Sequence, residues 1–173
     1  MSDASPEPGL QPRRSRPSIP GYGLPTDEEG MLSWDWAIEQ IAQSQLYWMS
    51  TTRPDGRPHA KPVWGVVMDG TIYLETGPDS RGGRNLAANP AIVVHFENGD
   101  AAFIVEGTAE KAFALPRKDA ERMAQVYGAK YGAKGYQPTP EQYMAPESGL
   151  YRIRPRVAFG FVNFVTDATR WTF

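Results

Sequence analysis

The sequence predicts a closed or nearly closed antiparallel β-barrel flanked by a few helices, and three observations carry that prediction. Short runs of alternating apolar residues follow one another from Tyr47 to the C-terminal Phe173. Tight turn signals join several of them: Arg53-Pro-Asp-Gly56, Asp69-Gly70 and Asn98-Gly99. In such turns Pro fixes φ, and Gly or Asn takes the positive-φ position. Strands also do not alternate regularly with helical stretches, which disfavours a doubly wound parallel sheet.

A length of 173 residues fits one ordinary domain, and 40% hydrophobic with 12% aromatic residues is enough to build its core. The formal net charge of -2 gives no global basic field of the kind that binds nucleic acid. Cysteine is absent, which removes disulfides, thiolate metal sites and a cysteine nucleophile. No apolar run approaches the roughly 18 residues of a membrane span, and no secretory h-region opens the chain. The expectation is a cytoplasmic protein with neither membrane nor nucleic-acid partners.

Residues 1–25 are rich in Pro, Ser, Gly and Arg and have little to bury, so they are expected to form a disordered or loosely docked arm. The structured domain is expected over 26–173. Thr26-Asp-Glu-Glu29 has the pattern of a capping box. A helix follows over about 33–44, with Trp34, Ala37, Ile38 and Ile41 on one face. From Gln45 the period becomes two, giving a first strand. A second strand is expected over about 57–68 and a third over 71–76, paired as a meander. Ser80 to Ala88 reads as a short helix stopped by Asn89-Pro90. Strands over 91–97 and 101–113 come next. Pro116 then opens a helix to about Tyr127, and 130–148 reads as a Gly-, Pro- and Tyr-rich loop. Two more strands, 150–153 and 157–165, precede the closing Arg170-Trp-Thr-Phe173.

Two stretches carry chemistry. A helix N-terminus has free N–H groups and partial positive charge, and so favours phosphate. At Ser80-Arg-Gly-Gly-Arg-Asn85 the hydroxyl of Ser80 can cap, and Arg81 and Arg84 stand three apart on the helix. Gly82 and Gly83 weaken the helix but let a ligand approach its backbone. The second stretch is Lys61-Pro-Val-Trp64. A lysine within an apolar strand needs a partner or an exposed position. Pro62 cannot donate to a ladder, so this strand is expected at an edge or a bulge, with backbone free to meet a planar ring beside Val63 and Trp64. His59 and His95 are too few and too far apart for a metal site, so none is expected. No catalytic residue can be named, which suits chemistry carried by a cofactor.

These residues resemble a family. Tyr-Trp-Met-Ser-Thr-Thr-Arg-Pro-Asp-Gly-Arg-Pro-His (Tyr47 to His59), then Pro-Val-Trp (Pro62 to Trp64), Ser-Arg-x-x-Arg-Asn-Leu-x-x-Asn-Pro (Ser80 to Pro90) and Ala-Thr-Arg-Trp-x-Phe (Ala168 to Phe173) are similar to the split-barrel flavin and deazaflavin proteins. These are the pyridoxamine-phosphate-oxidase-like proteins and their coenzyme F420-dependent relatives. The resemblance covers about 33–173. It implies an α+β split β-barrel, a homodimer with cofactor sites at the subunit interface, and a cofactor phosphate held from Lys61, Thr76, Ser80 and Arg81. The lysine usual after that arginine is Gly82 here. A missing charge-assisted bond would cost on the order of 1.5–3 kcal/mol unless Lys61 and Arg84 compensate.

Pro-Val-Trp and Ala-Thr-Arg-Trp look closer to the F420 branch, so F420 is favoured over FMN. The expected activity is hydride transfer between F420 and a small unsaturated or conjugated molecule. An FMN-dependent oxidoreductase and a non-catalytic cofactor-binding or ligand-sensing protein are the alternatives.

Overall fold

A computed structural model describes residues 12–173. Its strands and helices run, in order, β1 (Arg13–Ser15), α1 (Trp34–Gln43), β2 (Tyr47–Thr52), β3 (Pro58–Val63), β4 (Gly65–Met68), β5 (Thr71–Glu75), α2 (Arg81–Ala88), β6 (Ala91–Phe96), β7 (Ala102–Lys111), α3 (Arg117–Tyr131), α4 (Pro140–Met144), β8 (Leu150–Phe161), α5 (Phe164–Asp167) and β9 (Thr169–Thr172). All pairings are antiparallel. The strands join in the order β1-β9-β8-β7-β6-β2-β3, and the β4–β5 hairpin attaches through β5 to β8. This is an α+β split β-barrel with flanking helices. Among the described residues no helix is long and apolar enough to cross a membrane.

Alternation in the strands builds the interior. Tyr47, Met49, Leu74, Val94, Phe103, Val105, Ala158 and Trp171 point into one buried cluster, which α1 closes with Ala37 and Ile41. Ser33 caps α1 by accepting from the Trp36 N–H at 3.1 Å, as a serine at N-cap does. A second core lies outside the barrel, where α3 and α4 cover the β4–β5 hairpin with Met123, Tyr127, Tyr131 and Tyr143 against Val66 and Met68.

Five sequence expectations change. The segment from residue 12 is tied down rather than loose, while residues 1–11 of the expected arm lie outside the described residues. β1 pairs with β9, Arg14 opposite Trp171. The Arg16 guanidinium donates to the carbonyls of Asp27, Thr166, Ala168 and Glu29. Those bonds also occupy the Thr26–Glu29 stretch, which forms turns instead of a helix and ends at Gly30 with φ +76.

Next, the expected 57–68 strand is two strands with different partners. β3 pairs with β2, whereas β4 pairs with β5, so the meander is broken at Trp64. A Cβ at Gly65 would lie 2.4 Å from the Tyr47 ring. The Tyr131 hydroxyl meanwhile donates to the Gly65 carbonyl at 2.7 Å and accepts from its N–H at 2.9 Å. These bonds take over the Gly65 backbone groups that a continuous ladder would use.

The expected 130–148 loop contains the last residues of α3, a 3-10 turn at Gly132–Lys134, and α4. Finally, the last two expected strands before the C-terminus are one long β8. Its Pro155 is accommodated by a register shift opposite Glu106 and Gly107, a bulge being one of the few places where a strand tolerates Pro.

Candidate functional site

The N-terminus of α2 is built by short-range bonds. The Ser80 hydroxyl accepts from the Gly83 N–H at 3.1 Å and shares a 2.9 Å hydrogen bond with the Thr76 hydroxyl. The Ser80 N–H donates to the Gly77 carbonyl at 3.0 Å, closing the turn that leads into the helix. Gly83 is buried, and a Cβ there would lie 2.3 Å from the Gly77 carbonyl oxygen. The turn therefore sits directly against the first helical residues.

β3 brings its lysine to the same place. Lys61 stands opposite Met49 on β2, and its side chain passes over Gly82. A Cβ at position 82 would be 3.3 Å from Lys61 Cε, 3.3 Å from Thr76 Oγ1 and 3.1 Å from Met49 Cε. A side chain at residue 82 would thus begin in tight contact with Lys61 and its neighbours, which would have to give by a few tenths of an ångström to admit it. Burial holds the Lys61 pKa below the ordinary lysine value. Among the described residues no carboxylate pairs with it. A partly desolvated ammonium without a counter-ion, beside two hydroxyls and a helix N-terminus, has the chemistry of an anion site.

Other cations lie nearby. Burial first, then Arg53, Lys61 and Arg81, hold the pKa of His59 below the usual histidine value. Arg81 is exposed at the first position of α2. The sequence reading did not place Arg53 or His59 here; only the strand pairing of Thr51 with His59 does so.

Two expected site residues are turned to other work. Arg84 donates to the Asp79 carbonyl and so secures the turn. Asn85 is fully buried and donates to the Thr51 hydroxyl at 2.9 Å, seating α2 against β2. Along β3, Pro62 is exposed, Val63 is buried and Trp64 is half-buried.

Beyond Val63, Trp64 stacks on Tyr131 with ring centroids 4.9 Å apart and meets Tyr136 at 4.8 Å. Lys130 reaches the same bend, donating to the Tyr47 hydroxyl and the Gly65 carbonyl, each at 3.1 Å. Burial lowers its pKa from 10.5 to about 8. Between these two values the folded chain binds fewer protons than the unfolded one, so stability should rise with pH across that window. Lys130→Met should flatten the rise, read as the difference between wild-type and variant melting temperatures over that range.

A family model described as pyridoxamine 5'-phosphate oxidase matches residues 36–161. The chain belongs to that family. The match spans the barrel from α1 to the end of β8 and includes both Lys61 and the N-terminus of α2. No curated protein sequence matches this one significantly. Among solved structures, a conserved hypothetical protein from Mycobacterium tuberculosis, Rv2991, is 24% identical, with 84% of this chain and 88% of that chain covered and a TM-score of 0.61. A protein described as an F420 reductase is 19% identical, with 69% and 94% covered and a TM-score of 0.51. A heme binding protein from Mycobacterium smegmatis is 19% identical, with 76% and 54% covered and a TM-score of 0.59. At these identities the likeness is one of fold. Within this pyridoxamine 5'-phosphate oxidase-family chain, Lys61, Thr76, Ser80 and Gly82 converge, Arg81 stands at the rim, and Arg84 and Asn85 support the frame.

Proposed function

We propose that this protein is an oxidoreductase that binds coenzyme F420 and moves hydride between it and a small unsaturated or conjugated substrate. The observation that carries the reading is the convergence of Lys61, Thr76 and Ser80 on the buried Gly82. On this reading those residues, with Arg81, hold the cofactor phosphate. The ring lies along Pro62 and Val63, where β3 is a sheet edge with its backbone free on one side, and reaches Trp64 just beyond it. The bound deazaflavin supplies the hydride chemistry, and the chain's residues bind and orient it.

Pro62-Val63-Trp64 and Ala168-Thr-Arg-Trp171 favour F420 over FMN, and the F420 reductase shares the fold. The proposal includes a cytoplasmic location and a homodimer. The outer face of β2, β6, β7 and β8 carries an open groove of about 660 Å³ lined by Ser50, Thr52, Val93, Glu106 and Arg156. A second copy would cover it, and light scattering would read the mass.

Titration of the purified apo-protein with F420 and with FMN, followed by fluorescence, tests the reading. Saturable F420 binding is the expected result. Saturable binding of FMN alone would transfer the activity to FMN, and binding of neither would overturn it. Tight binding without turnover of any conjugated acceptor would leave a storage or sensing protein.

A further inference from the structure

Glu75 is a half-buried acid that the cofactor site does not use. It follows Leu74, which faces the barrel interior, so its own side chain points outward into the second core. Its backbone N–H donates to the Trp64 carbonyl at 3.0 Å, fixing it beside the end of β3. Both carboxyl oxygens lie 3.0 Å from the Tyr136 hydroxyl. Tyr127 and Tyr131 from α3 and Tyr143 from α4 complete the surroundings, each acting electrostatically with Glu75. No lysine or arginine pairs with it among the described residues. Burial pushes the Glu75 pKa up, with the Tyr136 hydroxyl and then the Tyr143 hydroxyl opposing. Tyr136 is pushed up to about 12, so the phenol keeps its proton.

The group is not sealed. Trp64, Glu75 and Tyr136 are all half-buried, and the Trp64–Tyr136 contact forms its rim. A salt bridge would lock such a carboxyl in its charged form, whereas a shell of phenols leaves it able to take and return a proton.

We propose that Tyr136, backed by Glu75, donates the proton that completes hydride transfer at the Trp64 end of the site. The acceptors are those whose reduction adds one hydride and one proton across a conjugated C=C or C=O bond. This rests on the reading of the protein as a flavin- or deazaflavin-dependent oxidoreductase, whose reduced cofactor supplies the hydride and its electron pair. With Glu75 protonated, its O–H donates to the Tyr136 oxygen and frees the phenol hydrogen for the substrate. The Tyr136 O–H bond breaks as the substrate's displaced π pair takes the proton. The phenolate then takes the Glu75 proton, and solvent at the rim reprotonates the carboxylate.

Two measurements test the proposal. In the apo-protein, infrared titration should find a protonated carboxyl persisting above the ordinary glutamate value of 4.5. The signal should vanish in Glu75→Gln. In Tyr136→Phe its midpoint should move higher, because the lost hydrogen bond stabilised the charged form. With protein loaded with reduced cofactor and menadione as the acceptor, Tyr136→Phe should slow turnover about tenfold or more. A solvent-deuterium slowing is expected in wild type and should disappear in the variant, while cofactor affinity stays within about twofold.

Absence of the carboxyl signal in wild type, or unchanged menadione turnover in Tyr136→Phe, would overturn the proposal. If neither F420 nor FMN binds wild type, the failure belongs to the functional reading. The infrared titration would then still decide whether Glu75 and Tyr136 share a proton.

Discussion

Lys61→Ala is expected to weaken cofactor binding by about tenfold to a hundredfold, the range for removing a charge-assisted hydrogen bond to an anion. Its ammonium is partly desolvated and has no carboxylate partner among the described residues, so an incoming phosphate would be its first counter-ion. Arg81→Ala should weaken binding less, because Arg81 is exposed and water screens its charge. Arg84→Ala should leave affinity nearly unchanged, since Arg84 is engaged with the Asp79 carbonyl. Gly82→Lys is the sharper companion. It installs the lysine that the family motif would carry, yet the new side chain must start within 3.3 Å of Lys61 Cε. One cation would displace the other, and affinity should not rise. Fluorescence titration of the four variants with F420 and FMN reads these differences, and an unchanged affinity in Lys61→Ala would remove Lys61 from the site.

Gly83→Ala should have a large effect on stability. Its added Cβ would lie 2.3 Å from the Gly77 carbonyl oxygen and 2.5 Å from that of Pro78. Backbone atoms in a tight turn cannot move aside cheaply, so the turn and the start of α2 must separate. Overpacking of this kind costs about 1–3 kcal/mol, and at roughly 2–4 °C per kcal/mol for a chain of this size the melting temperature drops by several degrees. Gly82→Ala makes the informative contrast. There the nearest atoms are Met49 Cε at 3.1 Å, then Lys61 Cε and Thr76 Oγ1 at 3.3 Å, and the two flexible side-chain ends can give by a few tenths of an ångström. Stability should hold while affinity falls, because Lys61 is what moves. Equal melting temperatures for Gly83→Ala and wild type would contradict the close packing of the 77–79 turn on α2.

What the sequence made legible was local. Ser80 as the cap of α2, Pro62 at a sheet edge, and Ala37 with Ile41 on the buried face of α1 follow from cap chemistry, a missing donor and helical spacing. The break at Trp64 was not legible, because it depends on Tyr131, far along the chain, taking both backbone groups of Gly65. Arg84 and Asn85 carried the right chemistry in the motif, but their directions depend on Asp79 and Thr51. The Glu75 group was hidden in a stretch whose glycines, prolines and tyrosines read as loop. One signal was present there: Thr139 and Gln142 form a capping box for α4, with Pro140 in its first turn. That pattern would have marked a helix carrying Tyr143.

The strand that bears Lys61 has, among the described residues, a neighbour on one side only. Edge strands with few neighbours open at lower free energy than strands bonded on both sides. A ligand gripping Lys61 would therefore act as a hem stitched along the fabric's loose border, and the binding free energy would include the ordering of that border. Affinity could then be tuned from the far face of β2, by residues that strengthen or loosen its pairing with β3 and never touch the ligand.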